Sequence, residues 1–358
     1  MSSNPEILPP LATPPQPEPA EPTRELALRP PLKLGLLDIL PDDPLYDTAQ
    51  LTGEYILASK AAATRRAYDS DWRDFEAYCQ KHNLASLPAE PRTVALYITH
   101  LSKPDNGEKP RKAATITRRL TAINAVHKAA DLDSPATMNH RVLALTFHGL
   151  RRTIGTQQSM KKPLTRDRIV KILGTLEGPI AAARDKALLL TGFAGALRRS
   201  ELAALQYKDV TWHRKGITIK LPRSKADQEA KGREVEILWG EHDRTCPVLA
   251  LENWLKIARI QDGCVFRSVG QYGKVGQGMH ANSIGRLVKQ LVRKAKIAGA
   301  QDYGGHSLRA GFVTEASGNG VPDGQIMKQT GHTSNAMVRR YARADREDKQ
   351  AAAGKLGL

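Results

Sequence analysis

The chain has 358 residues, enough for two domains with a core each. A formal net charge of +17 and a pI of about 9.8 point to a polyanionic partner, nucleic acid above all, or else to a strongly solvated basic surface. Three cysteines with no CxxC spacing and no matching histidine pair exclude a disulfide framework and a structural zinc, and no apolar run is long enough to span a membrane.

Residues 1–45 hold twelve of the 22 prolines. Pairs such as Pro9-Pro10 and Pro30-Pro31 deny a helix or a strand ladder there, so a disordered tail is expected. This start is rich in Pro and Glu and lacks the basic-then-apolar order of a secretory signal, which places the expected location in the cytoplasm. From 46 to 152 the pattern is helical throughout. Tyr68, Trp72, Phe75 and Cys79 share one face of a predicted helix over 62–82. A second helix starts at Pro91 and runs to Leu101. A third, over 113–130, puts Ile116, Leu120, Ile123 and His127 on one side and Thr115, Arg118 and Lys128 on the other. A fourth covers 135–152. Residues 153–163 are polar and punctuated by Gly and Pro, either a basic linker lying along a phosphate backbone or an ordinary loop.

A second domain is expected over 164–358. Helical patterns cover 165–176, 180–191, 248–260, 282–296, 306–317 and 322–330. Between them, Gly216–Leu221 and Arg233–Leu238 alternate as two strands of an antiparallel sheet. The predicted fold class is mainly α with a small antiparallel β-sheet.

Residues 304–343 gather His306, Arg309, His332 and Tyr341 into one basic stretch, and GALRRSEL at 195–202 adds Arg198 with Glu201 three residues on. His306 and Arg309 stand at i and i+3, on one helix face. Alone, HxxR is weak, and a tyrosine flanked by Arg339, Arg340 and Arg343 reads first as a helix anchor. Together, two arginines, two histidines and a tyrosine without an acidic cage describe a site that holds a phosphodiester and attacks it with a phenol.

The segments TGFAGALRRSEL, GGHSLR, TGHTS and RRYAR, in this order and at these intervals, resemble the signature of the tyrosine recombinases, also called phage-type integrases. The resemblance leans toward the Cre-like members and spans 46–358, including Leu87-Pro88-Ala89-Glu90-Pro91 and the helix over 113–128. His332 follows most of the family and departs from Cre, which carries Trp there. Ala196-Leu197 and the adjacent Arg198-Arg199 depart from the usual pattern.

The resemblance implies a site-specific recombinase, integrase or resolvase. It would cleave and rejoin DNA strands through a 3′-phosphotyrosine intermediate and a Holliday junction, with no metal and no cofactor. Alignment on Ser-Glu-Leu makes Arg198 catalytic beside Arg309, with Arg199 a phosphate or solvent contact. Tyr341 is the nucleophile. His306 takes its proton or bonds the phosphate, His332 donates to a phosphate oxygen, and Glu201 orients the cations. The general acid is a lysine of the inter-strand hairpin, Lys225 by position, with Lys231 its rival.

The same frame implies a helical core-binding (SAM-like) domain over 46–152 and an α+β catalytic domain over 164–358, closing on DNA as a C-shaped clamp. Arg118 and Arg119 become candidates to read base edges, and Lys161, Lys162, Arg286 and Lys289 candidate phosphate contacts. Residues 349–358 are either a docking helix for a neighbouring protomer or a frayed end. The implied partners are double-stranded DNA with inverted-repeat half-sites and, on it, three further copies of the chain, which is monomeric or dimeric in isolation. Two other readings remain open: a type IB topoisomerase, and a catalytically idle DNA-binding regulator.

Overall fold

Apolar residues recurring every three or four positions wind the first stretch of chain into helices. The computed structural model describes residues 44–104, 107–157, 160–221 and 232–342, and the chain divides into two compact units, 1–158 and 159–358. In the first unit the described residues form α1 (Tyr46–Ala58), α2 (Ala62–Lys81), α3 (Pro91–Ser102), α4 (Ala113–Ala129) and α5 (Arg141–Ile154). Trp72, Phe75 and Cys79 of α2 are buried with Val94, Tyr97 and Ile98 of α3, Ile116, Leu120 and Ile123 of α4, and Leu143 and Phe147 of α5. Emptying one such site, as in Phe75→Ala, costs about 3–5 kcal/mol. His127 sits fully buried in the same core. Its Nδ1 donates to the Ile123 carbonyl at 2.9 Å and its Nε2 accepts from the Ala89 amide at 3.0 Å, so the ring is neutral.

Two boundaries differ from the sequence reading. α1 is a helix that the periodicity did not single out. The fourth predicted helix, expected from 135, begins only at Arg141. Side chains hold the intervening turn: Asn124 donates to the Ala136 carbonyl at 3.2 Å, the His140 ring bonds the Ser134 carbonyl, and the Ser134 hydroxyl bonds Asn124. These bonds offer the backbone an alternative to helix.

In the second unit the order is α6 (Arg166–Leu173), α7 (Pro179–Ala194), α8 (Arg199–Ala204), β1 (Val210–His213), β2 (Gly216–Leu221), β3 (Arg233–Leu238), α9 (Pro247–Ile257), β4 (Arg267–Val269), β5 (Val275–Gly278), α10 (Ala281–Lys294), α11 (Gly305–Gly318), α12 (Asp323–Thr330) and α13 (Asn335–Ala342). β1, β2 and β3 form an antiparallel sheet in that order, with Ile219 opposite Val210 and Val235, and Leu221 opposite Arg233. β4 and β5 pair separately. The two expected strands are thus β2 and β3, joined by β1, and among the described residues a second, two-stranded sheet accompanies them. Ile217, Ile219, Val235 and Ile237 line the inner face of the larger sheet and share a core with Leu188 and Leu189 of α7 and Leu251 and Trp254 of α9.

α10 buries Ile284, Val288, Leu291 and Val292 and leaves Arg286 exposed on its other side. α11 is drawn tightly onto the chain at Leu164, whose amide donates to the Ser307 carbonyl at 2.9 Å. A Cβ on Gly311 would fall 2.1 Å from the Leu164 carbonyl oxygen, so only glycine admits this approach. Among the described residues no helix is long and apolar enough to cross a membrane. The expected tail up to residue 43, the hairpin residues 222–231 with Lys225 and Lys231, and the expected terminal helix at 349–358 lie outside the described residues.

Candidate active site

α7 runs into a tight turn at Gly195-Ala196-Leu197, and Arg198 follows as the residue capping α8. Glu201, in the first turn of α8, accepts from the Arg198 amide at 2.8 Å and from Arg198 Nη1 at 2.7 Å. The reach of a side chain three residues into a helix for the capping amide is ordinary capping geometry. Here it also sets the guanidinium. Arg198 Nη2 donates onward to the Gly331 carbonyl at 3.3 Å, beyond the end of α12.

Arg309, on α11, is 2% exposed and donates through Nη1 to the Ala196 carbonyl at 2.9 Å. His306, one turn earlier, is exposed. His332 is buried, its Nδ1 3.0 Å from the Thr330 hydroxyl, and that hydroxyl in turn donates to the Ile326 carbonyl at 2.7 Å. The Thr330 proton being spent on Ile326, the ring donates from Nδ1 and keeps Nε2 as its acceptor. Burial, with Arg309, Arg198, Arg233 and His306 around it, lowers the His332 pKa to about 4. Without an anion in the seat the ring is therefore neutral. An arriving anion reverses that field and favours the protonated, donating form. Tyr341 belongs to the last turn of α13.

Beside this core opens a cleft of about 640 Å³ whose lining includes Lys161, Arg198, Arg199, Arg286, Lys289 and His306. Four residues expected to touch phosphates thus meet in one groove. Lys161 also donates to the Gln301 carbonyl at 3.0 Å. Lys162 is not part of that lining; it stands 3.6 Å from Asp302.

In the first unit, Arg118 is exposed on α4 and pairs with Asp71 at 2.7 Å. Arg119 is turned the other way. It is 8% exposed, bonded to Asp74 and to the Tyr97 hydroxyl, with its Nε 3.7 Å from Asp71. The expectation that it reads bases is corrected: its donors face the core, and only Arg118 of the pair is on the surface.

The sequence reading missed Arg233. It opens β3, yet its side chain turns inward to donate to Glu201 Oε2 at 2.9 Å and to the Gln329 carbonyl at 2.5 Å. A charged residue at the head of an alternating strand reads as exposed, so alternation gave no signal. Gly331, with φ +65°, makes room for it, since a Cβ there would meet Arg233 Cδ at 3.2 Å. One carboxylate, Glu201, therefore serves two guanidiniums. Burial raises its pKa, but Arg233, the Arg198 amide and the Arg198 side chain outweigh this and hold it below the ordinary carboxylate value. Among the described residues no group of three or more His, Cys, Asp or Glu is placed to hold a metal ion. The arrangement is a recessed, strongly cationic anion seat with an exposed imidazole at its rim.

Residues 162–348 match the model of the phage integrase family. An integrase/recombinase of Selenomonas ruminantium, a xerD homolog, is 36% identical over 290 residues, which is 79% of this chain and 82% of its own. The tyrosine recombinase XerC of Corynebacterium efficiens is 29% identical over 80% of this chain and 82% of its own. Among solved structures, XerH recombinase in a post-cleavage complex with palindromic difH substrate superposes with a TM-score of 0.57 at 17% identity, over 87% of this chain and 85% of that one. A lambda integrase dimer bound to a COC′ core site gives 0.53 at 14% identity, over 85% and 78%. These two likenesses concern the fold.

Proposed function

The chain belongs to the phage integrase family, and on that premise we propose that this tyrosine site-specific recombinase cuts and rejoins DNA strands at the seat formed by Arg198 and Arg309, with Tyr341 as nucleophile. The observation that carries the assignment is the mutual anchoring of the two arginines, Arg309 on the Ala196 carbonyl and Arg198 on Glu201 and Gly331, at the edge of a basic cleft.

A phosphodiester resists attack because its non-bridging oxygens are already negative and gain charge in the transition state. Two guanidinium forks, charged at any working pH, bind those oxygens as the charge grows. The Tyr341 oxygen forms a bond to phosphorus while the bond from phosphorus to the 5′-oxygen breaks, leaving a 3′-phosphotyrosine. The phenol proton passes to His306 or to solvent. The departing 5′-oxygen takes a proton from a lysine of the 222–231 segment, Lys225 or its rival Lys231. The phosphoester linkage is kept, so the 5′-hydroxyl of another strand reverses the step without ATP, and two such exchanges make and resolve a Holliday junction. Lys161, Arg199, Arg286 and Lys289 hold the DNA backbone, while Arg118 reads bases from the first unit. Four copies on paired inverted-repeat half-sites, acting on DNA in the cytoplasm, complete the reading.

The test is a library of nicked duplexes of randomised sequence. Release of the short strand at the nick traps the covalent complex, and sequencing the attached DNA gives the target. Tyr341→Phe is expected to lose the SDS-stable complex and to keep DNA binding within a few-fold. A covalent complex that survives in Tyr341→Phe would move the nucleophile elsewhere. Relaxation of supercoiled DNA at sites sharing no sequence would favour the topoisomerase reading instead.

A further inference from the structure

Three cations and one carboxylate meet at the heart of the site, and one of those cations has no role in the chemistry above. Arg233 is the first residue of β3, its side chain 14% exposed. Its Nη2 donates to Glu201 Oε2 at 2.9 Å and its Nη1 to the Gln329 carbonyl at 2.5 Å. Glu201 gives its other oxygen to Arg198 at 2.7 Å, and Arg198 reaches Gly331, two residues beyond Gln329, at 3.3 Å. The bonds close a ring: Arg198, Glu201, Arg233, Gln329, then along the chain to Gly331 and back to Arg198. Glu201 Oε2 also accepts from the Arg198 amide at 2.8 Å, so Arg198 alone ties the carboxylate only to its own turn, and Arg233 is what ties it to the end of α12. With a second guanidinium on Oε2 that also holds the Gln329 carbonyl, the carboxylate, and with it the fork of Arg198, is fixed relative to α12.

We propose that Arg233 is a positioning residue of this site, clamping Glu201 and the Gln329 carbonyl together so that the Arg198 guanidinium and the turn carrying His332 stay in one frame. The proposal rests on the recombinase reading and deepens it. Arginine is required because two acceptors on different elements need a rigid, planar pair of donors, which a lysine ammonium does not offer. Its Nε is buried without a hydrogen-bond partner among the described residues. A buried donor left unmade disfavours folding, so stability alone does not explain a guanidinium here. Its charge also reaches His332, which faces Arg309, Arg198, Arg233 and His306.

Full-length wild type, Arg233→Gln and Arg233→Lys separate the clamp from the charge. The His332 ring, identified by its loss in His332→Gln, is titrated by NMR in DNA-free protein. Its midpoint rises in Arg233→Gln and stays near wild type in Arg233→Lys, which keeps the charge. On a nicked duplex selected by wild type, the rate of covalent attachment falls by about 10²-fold in both variants, the scale of a slightly misplaced catalytic group. DNA affinity changes only a few-fold. Wild-type attachment rates in Arg233→Lys would overturn the clamp, as would a loss of affinity as large as the loss of rate, which would mark a plain DNA contact. An unmoved His332 midpoint in Arg233→Gln would overturn the shared frame. Should wild type attach to no duplex, the recombinase reading fails, while the titration still decides whether Arg233 belongs to the frame. If Arg233→Gln does not fold, Arg233→Lys carries the test through its attachment rate.

Discussion

Arg309 donates through Nη1 to the carbonyl oxygen of Ala196 at 2.9 Å, joining positions 113 residues apart in the chain. Ala196 presents that oxygen from a left-handed backbone, φ +47°, which a residue with a Cβ adopts at a cost. The methyl is fully buried. A β-branched side chain tolerates neither the angle nor the space, so Ala196→Val is expected to lose about 1–3 kcal/mol of stability. It should also slow covalent attachment by shifting the acceptor that seats Arg309. Urea unfolding and attachment kinetics check both. A variant of unchanged stability and rate would show that the turn carries no strain and does not position Arg309.

Glu201 is bonded to both Arg198 and Arg233. Glu201→Gln leaves two guanidiniums facing each other in a recess, and loss of one partner from such a buried group costs about 3–5 kcal/mol. The pH dependence has a definite sign. The folded carboxyl titrates below its ordinary value of 4.5, so its contribution is complete above that pH and is lost as pH falls through the lower folded value. The stability gap between wild type and Glu201→Gln should therefore be constant near neutrality and shrink below about pH 4.5. A gap that widens in acid would contradict the ion-pair account.

Arg118 and Arg119 are neighbours in sequence with opposite fates. Arg119 is enclosed with Asp71, Asp74 and Tyr97, whereas Arg118 pairs with Asp71 at 43% side-chain exposure. Arg119→Ala takes the buried guanidinium from the half-buried Asp74 and the Tyr97 hydroxyl, while Asp71 keeps Arg118, and is expected to cost about 1–3 kcal/mol. Arg118→Ala removes a half-exposed guanidinium and leaves the buried Asp71 its second partner Arg119, so it should cost less, about 1 kcal/mol. It should instead relax the selected duplex sequence at one base pair, a discrimination of about 1–3 kcal/mol. Calorimetry and re-selection of the library separate the two. Equal destabilisation by both substitutions would mean that the surface placement of Arg118 is not what distinguishes them.

Much of this was legible in the chain. Heavy side chains at helical spacing, such as Trp72, Phe75 and Cys79, leave one way to hide, and the alternation at Ile217, Ile219 and Val235, Ile237 fixes the inner sheet face. The motif arginines and histidines were readable because their chemistry demands those residue types. Four strand residues at β1, of which only Val210 is buried, and the glycine-rich β5 carry too little pattern to announce strands. Arg119 and Arg233 were misjudged or missed for a common reason. Whether an arginine faces water or turns inward onto an acid is decided by a partner distant in sequence, Asp74 for one and Glu201 for the other, and local periodicity does not contain it.

The salt dependence of DNA binding distinguishes cleft residues from bystanders. Arg286 and Lys289 line the groove that also contains Arg198 and His306, while Lys162 is not in its lining and lies 3.6 Å from Asp302. Each phosphate neutralised releases condensed counterions, so the logarithm of the binding constant falls linearly with the logarithm of salt concentration. The slope is about −0.9 per phosphate contact. Arg286→Ala and Lys289→Ala should each flatten that slope by about 1 and weaken all duplexes alike, since phosphates carry no sequence. Lys162→Ala should flatten it less, because the ammonium already has a carboxylate neighbour. Affinities measured from low to moderate salt on a selected and a scrambled duplex decide this. If Lys162→Ala flattens the slope as much as Arg286→Ala, the backbone runs outside the cleft, and the path assigned to the DNA past Arg198 must move with it.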